Sequence, residues 1–144
     1  MPVDVWPTFW IRIAELIHNG EIYSSIKIKE EIDRGGDELT QWMKDNATKE
    51  FYCRIDGEVL QKYAQLQNWA NRNTIYTAAA KNEFANVADA YLVATAAAKN
   101  MTIVTYEVSA PDSKKKIKIP DVCNVFGVSY CDLNTALRNL GVKI

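Results

Sequence analysis

The segment Ala88-Asp89-Ala90-Tyr91-Leu92-Val93-Ala94-Thr95-Ala96 runs through Lys99-Asn100 into Thr102-Ile103-Val104-Thr105-Tyr106-Glu107. Small and apolar residues at helical spacing pass into a short β-branched run, and an acid stands at each end of the unit. The pattern predicts an α-to-β crossover, with Asp89 near a helix start and Glu107 just past the carboxyl end of a buried strand. In an open parallel sheet the functional crevice lies outside those carboxyl ends, where side chains from successive units converge. Acids placed there are in a position to hold a divalent metal.

Size and composition limit what such a site belongs to. At 144 residues and 48% hydrophobic content, the chain suffices for one domain with a real core, and a single domain over 1–144 is expected. With 17 basic against 18 acidic residues, net charge supplies no bulk attraction to nucleic acid or membrane, so any such affinity must be local. No apolar run approaches the roughly 20 residues needed to span a bilayer. Met1-Pro2-Val3-Asp4 lacks the basic and apolar regions of a signal peptide. A soluble cytoplasmic protein with no membrane partner is expected. Cys53, Cys123 and Cys131 are odd in number and lack a Cys-x-x-Cys spacing, so neither a disulfide framework nor a zinc ribbon is encoded.

Helices alternate with short apolar runs along the chain. Pro7 suits a first turn, and Phe9, Trp10, Ile13, Ala14, Leu16 and Ile17 form a stripe ending at Asn19-Gly20, which predicts a helix at about 7–18. A strand at about 21–24 precedes a helix capped by Ser24 or Ser25, carrying Ile28, Glu31 and Ile32, and stopping at Gly35-Gly36. A short helix follows from Asp37, and Phe51-Tyr52-Cys53 is ambiguous between strand and helix. Further helices are expected at about 56–72 and 75–84, with the crossover unit at about 86–106. A turn at Ala110-Pro111-Asp112-Ser113 leads to the basic run Lys114-Lys115-Lys116-Ile117-Lys118. Helices at about 120–126 and 131–139, then Val142-Lys143-Ile144 as a last strand, close the chain. This alternation argues for an α/β fold with a mostly parallel sheet flanked by helices.

Elimination narrows the chemistry. The single histidine, His18, excludes multi-histidine metal sites. No Gly-x-Ser-x-Gly, Gly-x-x-x-x-Gly-Lys-Ser/Thr or Gly-x-Gly-x-x-Gly is present, which removes the usual serine-hydrolase and nucleotide-binding signatures. Carboxylates near strand and helix ends remain: Glu31, Asp89 and Glu107, with Asp121 as an outlier. Hard oxygen ligands suit Mg²⁺ or Mn²⁺. Each acid also has a plainer reading. Asp89 would complement its helix dipole, Glu31 sits beside Glu30 on a charged helix, and Glu107 would be a loop acid. Likewise Lys114, Lys115, Lys116 and Lys118 form either a solvated loop or a phosphate contact for RNA. Trp6, Trp10, Trp42 and Trp69 read as core or interface residues.

The segments Ala88–Ala96 and Ile103–Glu107 resemble the third and fourth acidic motifs of the PIN-domain superfamily, and Ile28-Lys29-Glu30-Glu31-Ile32 resembles the second, with Glu31 the better match. The chain is more closely similar to a little-characterised bacterial and archaeal PIN-like branch. Pro7-Thr8-Phe9-Trp10, Asp37-Glu38-Leu39 with Trp42, and Lys116-Ile117-Lys118-Ile119-Pro120-Asp121-Val122-Cys123 carry that likeness, which extends from about Asp4 to Val142. The resemblance implies a PIN-like (Rossmannoid) fold and a metal-dependent endoribonuclease, often the toxin of a toxin–antitoxin pair silenced by a partner protein. It also implies Glu31, Asp89 and Glu107 as ligands of Mg²⁺ or Mn²⁺, and frequent homodimerisation. The helices at about 7–18 and 37–46 are the expected interface.

The likeness departs at one point. Such domains open with a central strand ending in an Asp-Thr-Asn/Ser motif that supplies the first metal ligand, and Asp4 stands too close to the Pro7 helix to match it. The strand would lie between those expected at about 21–24 and 101–106, and each buried backbone group left unpaired costs about 1–3 kcal/mol. An N-terminally incomplete sequence, a strand donated by another chain, or direct pairing of the flanking strands would resolve this; the first is the expectation. Two functions from different classes follow: an endoribonuclease, inactive or weak as written, and a non-catalytic member that binds RNA or a protein. A phosphoacceptor domain would need a paired acid cluster after the first strand and a later lysine, and neither is evident.

Overall fold

The computed structural model describes residues 1–144. It is a mixed α/β chain whose contacts group into two compact units, residues 1–53 with 134–144, and residues 54–133.

In the first unit, Pro7 opens α1 (Pro7–His18), and Phe9, Leu16 and Ile17 of its apolar stripe are buried. His18 lies in the last turn, where a basic group meets the negative end of the dipole. Ser25 ends β1 (Ser24–Ser25) and caps α2 (Ile26–Gly35) by accepting a hydrogen bond from the Lys27 N–H at 3.2 Å. Because one residue does both jobs, the strand stops where the helix starts. The strand expected at 21–24 is therefore shorter and lies further along. Gly36 ends α2 at φ 62°, a conformation that only glycine adopts without strain.

Asp37 and Thr40 close a reciprocal capping box on α3 (Glu38–Asn46): the Thr40 N–H donates to Asp37 and the Asp37 N–H to Thr40 Oγ1, at 3.0 and 3.3 Å. A 3₁₀ turn at Lys49–Phe51 delivers β2 (Tyr52–Cys53), which runs parallel to β1 with Ser24 opposite Tyr52. Ile17, Phe51 and Tyr52 form this unit's core, with Trp42 and Met43 packed against it. Trp10 meets Trp42 edge to face at 4.8 Å. Trp6 departs from the core reading, since it remains 49% exposed.

The second unit is built on α4 (Gly57–Arg72), α5 (Ala78–Asn86) and α6 (Ala88–Lys99). Its most extensive packing is α4 against α6. Val59, Leu66 and Ala70 of α4 and Ala90, Val93 and Ala94 of α6 are all within 1% of complete burial, and the alanines let the helices approach closely. Thr77 caps α5 through the Ala80 N–H at 3.1 Å, which moves this helix from the expected 75–84 to its observed position. Asn100, at φ 56°, ends α6 in the left-handed region, and the chain turns into β3 (Ile103–Val104). The crossover read from the sequence is present.

After a long loop come α7 (Ile119–Phe126) and β4 (Tyr130–Cys131), the latter parallel to β3 with Ile103 opposite Tyr130. The Ile103 and Thr105 N–H groups donate to Ser129 and Cys131 carbonyls, each at 2.9 Å. Two further expectations are corrected. Residues 130–131 are strand, so the helix predicted at 131–139 begins only at α8 (Leu133–Asn139). Val142–Ile144 is not a strand, because the Val142 N–H returns to the Leu137 carbonyl at 2.9 Å across Gly141, at φ 70°. The expectation of a mostly parallel sheet holds for direction and fails for continuity, since the four strands form two separate two-stranded parallel sheets. All three cysteines are free, and no helix is long and apolar enough to cross a membrane.

Candidate functional site: a carboxylate pair around Lys116

Asp89 occupies the first turn of α6, and Glu107 lies three residues beyond the end of β3. Both stand at the ends of the expected crossover unit, but the strand expected to be buried is only half so, with Val104 46% exposed. What the sequence did not reveal is how the segment after Glu107 folds back onto it. Glu107 Oε2 accepts from the Ile119 N–H, the first of α7, at 2.7 Å, and Oε1 lies 3.2 Å from Lys116 Nζ. One oxygen is thereby fixed by a helix N-terminus, where the dipole favours negative charge, and the other faces an ammonium. The Glu107 side chain is 21% exposed and that of Lys116 is 41% exposed.

Lys116 gathers more than one acid. Its ammonium is held above the usual lysine value, first by its hydrogen bond and charge interaction with Glu107, against the opposing effect of desolvation, and further by Asp89 and Glu83. Glu107 is the acid in direct contact with this cation. In the sequence Lys116 is one of several lysines with a possible RNA contact; in the fold it pairs with Glu107. Lys114 and Lys115 are exposed, and the Lys114 carbonyl accepts from the Thr77 N–H at 2.9 Å, tying the loop to the start of α5. Lys118 precedes α7 as its N-cap residue.

Asp121 has a different role. It is 7% exposed, and it accepts from Ser109 Oγ at 2.6 Å and from the Ala110 N–H at 3.0 and 3.2 Å. Its two oxygens are occupied by the loop that follows Glu107, so Asp121 locks that loop onto α7. Together Glu107 and Asp121 close the neck of the segment carrying the lysines. A signal for this latch existed in the sequence: an acid in the first turn of a helix entered through Pro120 has N–H groups nearby. Its partners Ser109 and Ala110, about twelve positions earlier, had no such mark. Tyr76, buried nearby, has its phenol pKa raised by desolvation and then by the Asp121 charge.

Glu31 is exposed in the middle of α2. No group of three or more histidine, cysteine, aspartate or glutamate side chains is arranged to hold a metal ion. A carboxylate pair still fits one ion type: Mg²⁺ is usually bound through one or two carboxylates while keeping several waters. Glu107 Oε1 suits such a role because its present partner is a half-exposed ammonium on a flexible stem. Asp121 does not, since burial and three hydrogen bonds hold it.

No curated protein and no solved structure matches the chain. A family model matches over residues 1–144, under the description Domain of unknown function (DUF4411). The chain belongs to that family.

Proposed function

We propose that this chain is a PIN-like, metal-dependent endoribonuclease domain in which Asp89 and Glu107 hold Mg²⁺ or Mn²⁺. The observation that carries the reading is Glu107, oriented by the Ile119 N–H at 2.7 Å and facing a cation at 3.2 Å, at the end of the crossover unit that Asp89 opens. A carboxylate that holds a half-exposed ammonium offers a divalent ion the same charge attraction. When bound, such an ion lowers the pKa of a coordinated water and offsets charge on a phosphodiester. The Ile119 N–H keeps the Glu107 carboxylate oriented, and the exposed Lys114 and Lys115 supply local positive charge for an RNA backbone in a chain of nearly zero net charge. The resemblance adds Glu31 to the ligand set, the toxin role, an antitoxin partner and a homodimer.

A second reading, a non-catalytic RNA- or protein-binding domain, is favoured by one specific observation. Both Glu107 oxygens already have partners within the chain, Lys116 and Ile119. Incubation of the purified chain with a structured RNA and Mn²⁺ separates the two. The nuclease reading expects cleavage that chelator removes and Asp89→Asn abolishes, with Glu31→Gln reporting on the third assignment. RNA bound and left intact by the folded protein at saturating Mn²⁺ supports the second reading, and Mn²⁺-independent cleavage contradicts both.

A further inference from the structure

We infer that Lys116 is the resident cation of the acidic site, competing with a divalent metal for Glu107, so that metal binding and the Lys116–Glu107 ion pair exclude each other. This rests on the proposed metal site and adds a regulatory contact to it. Among the four lysines at 114, 115, 116 and 118, Lys116 is the one that forms an ion pair, at 3.2 Å from Glu107 Oε1. The other oxygen of that carboxylate stays with Ile119, so Oε1 is the atom over which two cations would compete. Asp89 and Glu83 also act on the ammonium. Without a metal, Lys116 therefore balances the charge of Glu107.

The ammonium is suited to leave. At 41% exposure its head already reaches water, and a four-carbon stem lets it swing outward without moving the backbone. The backbone on either side is held, by Thr77 donating to the Lys114 carbonyl and by Ile119 donating to Glu107. Displacement is then a side-chain rearrangement, with the loop staying in place. A departing Lys116 would join Lys114 and Lys115 facing solvent, which adds a positive charge toward a polyanion as the metal enters.

Mn²⁺ affinity, read from the electron paramagnetic resonance signal of the free ion, tests this on the whole chain. Lys116→Ala should tighten Mn²⁺ binding by about tenfold, the effect of removing a unit charge a few ångströms from a divalent ion in a largely aqueous, screened setting. Lys114→Ala, which changes net charge equally, should change it less than about twofold. Equal effects from both variants, or weaker binding by Lys116→Ala, would overturn the inference while leaving the metal site standing. No Mn²⁺ binding by any of the proteins would overturn the inference and the metal site together. A measurement on the unsubstituted chain guards against a misfolded variant: Mg²⁺ titration followed by lysine side-chain NMR should shift the Lys116 Cε resonance at saturation. A Lys116 signal unmoved by saturating Mg²⁺ refutes the competition.

Discussion

Replacing Asp121 by alanine removes the acceptor for two donors at once, Ser109 Oγ–H and the Ala110 N–H. Asp121 is 7% exposed, but Ser109 is exposed, so its hydroxyl turns to water and the Ala110 N–H is the donor left without a partner. A buried donor left without a partner costs about 1–3 kcal/mol, and hydrogen bonds to a charged acceptor lie toward the upper part of the range. Against this stands the relief of no longer burying a charge. Taking about 1–2 kcal/mol for that one orphaned donor, the expected net loss is about 1–2 kcal/mol. Asp121→Asn keeps one acceptor oxygen and should lose about half as much. Urea unfolding followed by circular dichroism reads both values, and amide hydrogen exchange at Ala110 reads the latch locally. The reasoning fails if Asp121→Ala costs less than about 0.5 kcal/mol, a surface-like value, or if Ala110 exchanges no faster than in the parent.

Four further outcomes follow from the packing and the backbone. Burial pushes the Cys123 thiol up from 9.0 to about 11, so in the native protein it should resist alkylation at pH 8 while Cys53 and Cys131, both half-buried, react; rapid labelling of Cys123 would contradict its packing. Because its folded pKa is the higher one, the unfolded chain loses this proton first as pH rises; Cys123 then withdraws up to about 3 kcal/mol of stability between pH 9 and 11, measurable as a falling urea midpoint that Cys123→Ala should flatten. Leu66→Ala, at a side chain 1% exposed in the α4–α6 core, should cost about 2–5 kcal/mol, and a smaller loss would mean that the helices collapse into the cavity. Gly127, at φ 68° and with open space where a Cβ would stand, should lose only the left-handed backbone penalty of about 1–2 kcal/mol on Gly127→Ala, read from thermal or urea unfolding.

The helices were the legible part of this chain because their signals are local. Pro7, the Ser25 cap, the Gly35-Gly36 stop and the alanine-rich run from Ala88 each act within one or two turns. The strands were harder to place. Each is two residues long, too short for a period-two pattern, and Tyr130–Cys131 merges in sequence with the helix that begins at Leu133. Of the candidate site, the positions of Asp89 and Glu107 followed from the crossover, since a helix start and a strand end are local features. The pairing of Glu107 with Lys116, and the seizure of Asp121 by Ser109 and Ala110, depend on the loop between Glu107 and α7 folding back. Nothing in residue spacing dictates that closure. The lysine run also illustrates why composition misleads: four similar side chains within five positions divide into an inward counter-ion, two exposed charges and a residue at a helix cap.

The proposed sharing of one divalent cation by Asp89 and Glu107 is tested most directly by Fe²⁺-directed cleavage of the polypeptide. Fe²⁺ substituted for Mg²⁺, with ascorbate and peroxide, generates radicals that cut the backbone within a few ångströms of the bound ion. Mass spectrometry of the fragments should place the cuts around Asp89 and around Glu107, suppressed by excess Mg²⁺ and lost in Glu107→Gln. Cuts elsewhere in the chain, or a pattern indifferent to Mg²⁺, would contradict the account.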